Sequence, residues 1–357
     1  MRSTTSRPSP GRRWTGRCSS SPPSSSWPRR SDPVTRRQGI RELYETFARE
    51  TAPTSPLWER VCLWVTRSPR ICTVLERLPE DKQQPNLFLA ALKYLGLHGT
   101  FDDGDDWYFE AVVEDRWEEI RQLILTRCTQ TNEAGRCTVL APILASLPQP
   151  VHLVELGASA GLTLQPDRYH YDLGDGVVPG SRADEGAPVL ATTMTGLAPA
   201  SPERLVIGER LGVDARPVHL GKDDLAWLRA LVWPGEEDRE EQLVLAAGVQ
   251  RQHPARILQG VLPEAFVWLD REIRAWAELP GSVVVMHSAF AMYLDRAQRM
   301  ELTRHLADLG VHHLSFEGPR IMPGISAPRP SRPHFVAALD GRALAVASPH
   351  GRWVDWL

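Results

Sequence analysis

The stretch Val151-His152-Leu153-Val154-Glu155-Leu156-Gly157-Ala158-Ser159-Ala160-Gly161-Leu162, continuing to Tyr171-Asp172, decides how the rest of the chain is read. The apolar run Val151 to Leu156, broken only by His152 and Glu155, predicts a buried strand. The small residues from Gly157 to Gly161 predict a tight turn, and Leu162 and Leu164 predict the start of an amphipathic helix. Strand, small-residue turn and helix form the entrance of two different sites. In one, backbone at a helix N-terminus meets a nucleotide-like cofactor. In the other, Gly-x-Ser-x-Gly is a nucleophile elbow that presents Ser159.

The surroundings separate the two. A hydrolase elbow normally follows several strands, whereas residues 38–148 carry helical periodicity, as in Ile40, Leu43, Tyr44 and Phe47. No HGGG-like oxyanion segment precedes the motif. Glu155 has no task in an elbow, but beside a cofactor it can bond backbone N–H groups or cofactor donors. The serine hydrolase using Ser159 remains the alternative, and a non-catalytic binding protein that keeps the fold is a third. Gly157 and Gly161 without a middle glycine make a weak dinucleotide fingerprint. That suits a cofactor without phosphates in the loop, S-adenosylmethionine above all.

Around this centre the chain divides into three. Residues 1–37 hold nine Arg and one acid among Ser and Pro, a net +8, and are expected to be disordered. The remaining 320 residues carry a net −11, which argues against a broad nucleic-acid surface. Residues 38–148 are expected to form a helical domain that includes one long helix carrying Phe109, Val113, Trp117, Ile120 and Ile124. Its acidic loop Asp102-Asp103-Gly104-Asp105-Asp106 lacks the closing Glu of a calcium loop. Residues 149–357 alternate strand and helix, which predicts an α/β fold with a Rossmann-like, mostly parallel sheet. Within them, 173–221 are read as an irregular insertion, and Asp340-Gly341 marks an antiparallel C-terminal hairpin. Five scattered cysteines without C-x-x-C pairs predict reduced thiols and a cytoplasmic protein. No apolar run reaches the ~20 residues of a membrane span. No local ligand spacing points to a metal.

Several separate motifs resemble a bacterial family known only as a domain of unknown function. They are Gln130-Thr131-Asn132-Glu133, Glu155 to Leu162, Asp167 to Asp172, Trp227 to Pro234, His287-Ser288 and His350-Gly351-Arg352-Trp353. The resemblance covers roughly residues 38–357 and implies a central sheet similar to class I S-adenosylmethionine-dependent methyltransferases. Two departures stand out: Thr163 replaces the usual Asn, and Gly260-Val261 offers no acid for adenine.

The expected cofactor-binding residues are Glu155, Gly157, Ala158, Ser159, Gly161 and Asp172, with Asp214 as rival to Asp172 for the ribose. His287, at a strand's carboxyl end, and Glu133 are the catalytic candidates. Gln130, Asn132, Arg136 and Glu317 are expected to bind substrate, a small molecule. The expected activity is therefore methyl transfer from S-adenosylmethionine to that small molecule.

Overall fold

The computed structural model describes residues 39–101, 105–130 and 132–357. Residues 1–38, which include the tail, the centre of the acidic loop (102–104) and Thr131 lie outside them. Six helices open the described chain: α1 (Ile40–Thr51), α2 (Pro56–Arg67), α3 (Pro69–Glu76), α4 (Pro85–Tyr94), α5 (Asp106–Asp115) and α6 (Trp117–Thr126). Their apolar faces meet in one core with Trp58, Trp64, Phe88, Phe109 and Ile124. The single long helix expected from the period is two helices, broken at Arg116 (φ −97°, ψ 11°). The period survives the break because Phe109, Val113, Ile120 and Ile124 still face the same core.

The helix α7 (Cys137–Ala145) leads into twelve strands: β1 (Val151–Leu156), β2 (His170–Asp172), β3 (Val177–Pro179), β4 (Val189–Ala191), β5 (Thr193–Thr195), β6 (Ile207–Asp214), β7 (Arg256–Gln259), β8 (Ser282–Ser288), β9 (His312–Glu317), β10 (Phe335–Leu339), β11 (Arg342–Ala347) and β12 (Trp353–Trp356). Four more helices lie between them: α8 (Lys222–Leu231), α9 (Glu237–Gln252), α10 (Phe266–Ala277) and α11 (Arg296–Leu309). Nine strands form a mixed sheet in the order β5-β12-β11-β10-β9-β8-β1-β6-β7. Strands β9, β8, β1, β6 and β7 run parallel, and β10, β11 and β12 continue the sheet antiparallel. The hairpin turns on Asp340 (φ 50°) and Gly341 (φ 80°), the positive angles that Asp-Gly supplies.

Both faces of the sheet are covered, and strand alternation assigns side chains to them. Val151, Leu153, Val284, Met286, Leu314 and Phe316 pack with α7 and α9. Val154, Leu156, Val283 and Val285 pack with α10 and α11 on the other side.

Three expectations change. The insertion 173–221 hides β6, which pairs directly with β1. The turn after β1 opens no α-helix: it passes through 3-10 turns at Leu162–Leu164 and Pro166–Arg168 into the small sheet β3-β2-β4. Pro166 explains this, since a residue before proline is driven out of the helical region. Cys62, Cys72 and Cys137 are free and buried, whereas Cys128 is disulfide-bonded. No helix among the described residues is long and apolar enough to cross a membrane.

Candidate functional site

The carboxyl ends of β1, β6, β8 and β9 bring together Glu155, Asp214, Ser288 and Glu317. The loop Gly157 to Gly161 rises between them with left-handed angles at Gly157 (φ 78°), Ser159 (φ 48°) and Gly161 (φ 74°). Its amides are all occupied. Gly157 and Ala158 donate to Val213 O at 2.8 and 3.2 Å, and Gly161 donates to Ala158 O at 2.7 Å. Ser159 N donates to Asp214 Oδ2 at 2.8 Å, and Ala160 N donates to Asn132 Oδ1 at 2.9 Å. With neither free amides nor a following helix, the loop is no anion cradle.

Below the loop, Asn132, Glu133, Arg136, Glu155, Thr163 and Ser288 line a small polar cavity of about 10 Å³, room for about one water molecule. Glu155 is 2% exposed. Its Oε1 accepts from Thr163 Oγ1 at 2.5 Å, and its Oε2 is buried without a partner. Burial pushes its carboxyl up to about 8, with Asp214 adding to the rise while Thr163 and Arg136 oppose it. Arg136, 4% exposed, donates through Nη1 to Ser288 Oγ at 3.1 Å and through Nε to Pro349 O at 3.1 Å. Its Nη2 has no hydrogen-bond partner among the described residues. A buried cation and a buried acid thus face one cavity, each with an unused polar atom.

Glu133 is committed elsewhere. Its Oε2 pairs with Arg239 at 2.8 Å and lies 3.1 Å from His350 Nδ1. Burial alone would raise its carboxyl, but Arg239, His350 and Arg136 together hold it well below the usual range. It stays an anion, which suits an anchor better than a proton acceptor.

His287 and Glu317 stand on the opposite face, with His313, by the alternation of β8 and β9. His287 Nδ1 lies 2.6 Å from Glu317 Oε1, and its Nε2 lies 2.9 Å from His313 Nε2. Burial, then the charge of His287, push His313 down to about 3. His313 is therefore neutral at pH 7. Glu317 Oε1 also accepts from Phe290 N and Ala291 N, both at 2.9 Å, and its Oε2 is buried without a partner. A Cβ placed on Gly157 would lie 2.8 Å from Phe290 Cδ2, so the Phe290 ring rests on the loop.

The structure therefore brings Glu155, Gly157, Ala158, Ser159, Asn132 and Arg136 into one site. It separates them from His287 by the thickness of the sheet. Gln130 Nε2 reaches Arg216 O at 2.9 Å on the loop after β6, at the edge of the site. Asp172 lies in the small sheet and accepts from Gly174 N at 3.0 Å. Asp214, at the end of β6, is the acid that bonds the loop. Phe290 and His313 complete the arrangement and were not singled out from the sequence, while Thr163 and Ser288 were noted there without a site role. The pairing of β8 with β1 and β9 would have been needed to find them.

Fold and geometry define an α/β protein with a mixed-charge cavity at the carboxyl edge of its parallel strands. The chain belongs to the family described as an uncharacterized protein conserved in bacteria (DUF2332), whose model matches residues 41–356. No curated protein and no solved structure matches it.

Proposed function

We propose that the chain binds S-adenosylmethionine at the carboxyl edge of β1, β6 and β8 and methylates a small molecule. The observation that carries this is the pair Arg136 and Glu155, buried groups with unused polar atoms on one cavity. An α-amino acid is their complement, with its carboxylate for Arg136 and its ammonium for Glu155. S-adenosylmethionine ends in that group. The order β7-β6-β1-β8-β9 supports the reading, because it is that of a doubly wound, Rossmann-like sheet. Ligands of such sheets lie at the carboxyl ends where the order reverses, here between β1 and β8. We assign the ribose hydroxyls to Asp214, one strand over. The occupied loop amides suit a cofactor with no phosphate to cradle.

Bound there, the cofactor supplies an electrophilic methyl group on sulfur. The residues bind and orient: Arg136 and Glu155 fix one end and Asp214 the other. Positioning supplies most of the catalysis of such a displacement. The cavity's 10 Å³ is far below the roughly 300–1,000 Å³ of small-molecule sites, so binding has to open it.

A serine hydrolase draws less support. Ser159 Oγ accepts from Asn132 Nδ2 at 3.0 Å, and no histidine side chain bonds it among the described residues. The Ala160 N–H that would build an oxyanion hole is held by Asn132.

A thermal-shift titration tests the proposal. At a hundredfold excess over Kd the cofactor adds about 2.7 kcal/mol of stability, a rise of several degrees in Tm. A Tm that stays fixed at millimolar cofactor, in protein with a native circular dichroism spectrum, contradicts it.

A further inference from the structure

A second cavity, of about 420 Å³, lies in the helical layer between α5 and the corner where α2 meets α3. Trp107 and Ala111 of α5 give it apolar surface. Arg67 pairs with Asp106 at 2.9 Å and Arg70 with Glu114 at 3.5 Å, so both ion pairs join the corner to α5. Glu110, which also lines the cavity, has no ion pair among the described residues. Trp107 stands 72% exposed and Tyr108 47%, although a tryptophan normally gives up most of its surface on folding.

The charge around this cavity is one-sided. From Asp105 to Glu119 the chain holds seven acids and one base, Arg116. Asp105 and Asp115, like Glu110, have no ion pair among the described residues. Residues 1–37 have the opposite composition, nine Arg and one acid. Two of their stretches join paired arginines to a tryptophan: Arg12-Arg13-Trp14 and Trp27-Pro28-Arg29-Arg30. The tail meets the described chain at Gly39, just before α1, and α1 packs on α2 and α3, which wall the cavity. The nine peptide steps from Arg30 to Gly39 reach up to ~30 Å when extended, against a length of ~18 Å for the 12-residue α2.

We infer that the cavity beside α5 is the docking site of the chain's own N-terminal tail. The tail's arginines supply the cation that Glu110 lacks, with a guanidinium over the open face of Trp107. A segment of this composition builds no core of its own, but it can order on a surface of opposite charge. Arg67 and Arg70 do not oppose it, because each already has its carboxylate partner. The tether makes the docking intramolecular, and linked segments meet at effective concentrations on the order of millimolar, so individually weak contacts suffice.

Trypsin cleaves after the tail's arginines, and its rate on the full chain, read by mass spectrometry, reports how much of the tail is undocked. The wild-type tail is expected to be cut at least about tenfold more slowly than a free peptide of residues 1–37. Trp107→Ala and Glu110→Gln should each speed the cut at least about twofold, the worth of one exposed cation–π or ionic contact, and together bring it to the peptide's rate. Cleavage after Arg116 and Arg121 should stay unchanged, which shows that α5 and α6 keep their fold. Should either substitution disturb those helices, the wild-type tail against the free peptide still decides the matter. A wild-type tail cut as fast as the peptide overturns the docking, as does protection that survives both substitutions in folded protein. Protection that grows as the protein is concentrated from about 1 to about 100 µM assigns the surface to a second copy's tail and overturns it too.

Discussion

Glu155 ends a strand whose six residues are all buried, and nothing fully neutralises it. Its carboxyl, raised from 4.5 to about 8, sets a pH dependence whose sign follows directly. Between those values the folded chain keeps a proton that the unfolded chain has lost. Stability therefore falls as pH rises through that window. Glu155→Gln keeps the shape and removes the titration. The variant should match the wild type near pH 4 and exceed it by on the order of 4 kcal/mol above pH 8, read from urea midpoints. A difference that does not change with pH would show that Glu155 is paired in solution. Arg136, which has to stay charged in the same cavity, is held by Ser288 and Pro349 rather than by a carboxylate.

Among the elements, one tight junction joins the segment after α6 to the turn before β12. Gly135 and Gly351 pack backbone to backbone: a Cβ on Gly351 (φ 76°) would stand 2.0 Å from Gly135 O. Thr138 Oγ1 donates to Gly351 O at 2.9 Å, and Arg136 reaches the neighbouring Pro349. Gly351→Ala should cost at least about 2 kcal/mol, from the left-handed angle and the overlap together, and should loosen Arg136 as it does so. A thermal denaturation midpoint equal to the wild type's would refute that account. Much at this scale was legible in the sequence. β1 and β8 read as mostly apolar runs because a parallel sheet buries both faces. Asp295 caps α11 through its side chain, with Gln298 returning the bond, and Gly310 stops the helix at φ 69°. What was hidden has physical causes. β6 begins Ile207-Gly208-Glu209-Arg210, a polar stretch that becomes a strand through its ladder with β1, with Arg210 paired to buried Asp167 at 3.0 Å. The missing helix after Gly161 was signalled by Pro166, which the pattern of leucines outweighed. The separation of His287 from Glu155 depends on which face each strand residue takes. That is fixed by register, which spacing along the chain does not contain.

In the whole molecule, the helical layer is pinned to the sheet domain through α8. Trp227 and Ala230 pack in the helical core, Trp227 Nε1 donates to Cys128 O at 2.9 Å, and Arg127 pairs with Asp224 at 2.8 Å. Asn132, on the segment leaving the helical layer, bonds both Ser159 and Ala160, so the layer's exit helps shape the loop over the cavity. The central claim is that this shared site receives an amino-acid-ended cofactor between Arg136 and Glu155. Isothermal titration of the wild type with S-adenosylmethionine at pH 7, in buffers of different ionisation enthalpy, tests it most directly. The account predicts one site per chain, with a proton released from Glu155 on binding and an affinity at least about tenfold weaker in Glu155→Gln, a loss of about 1.4 kcal/mol. No heat of binding from folded protein, or the same affinity and no buffer dependence with and without the carboxyl group, would contradict it.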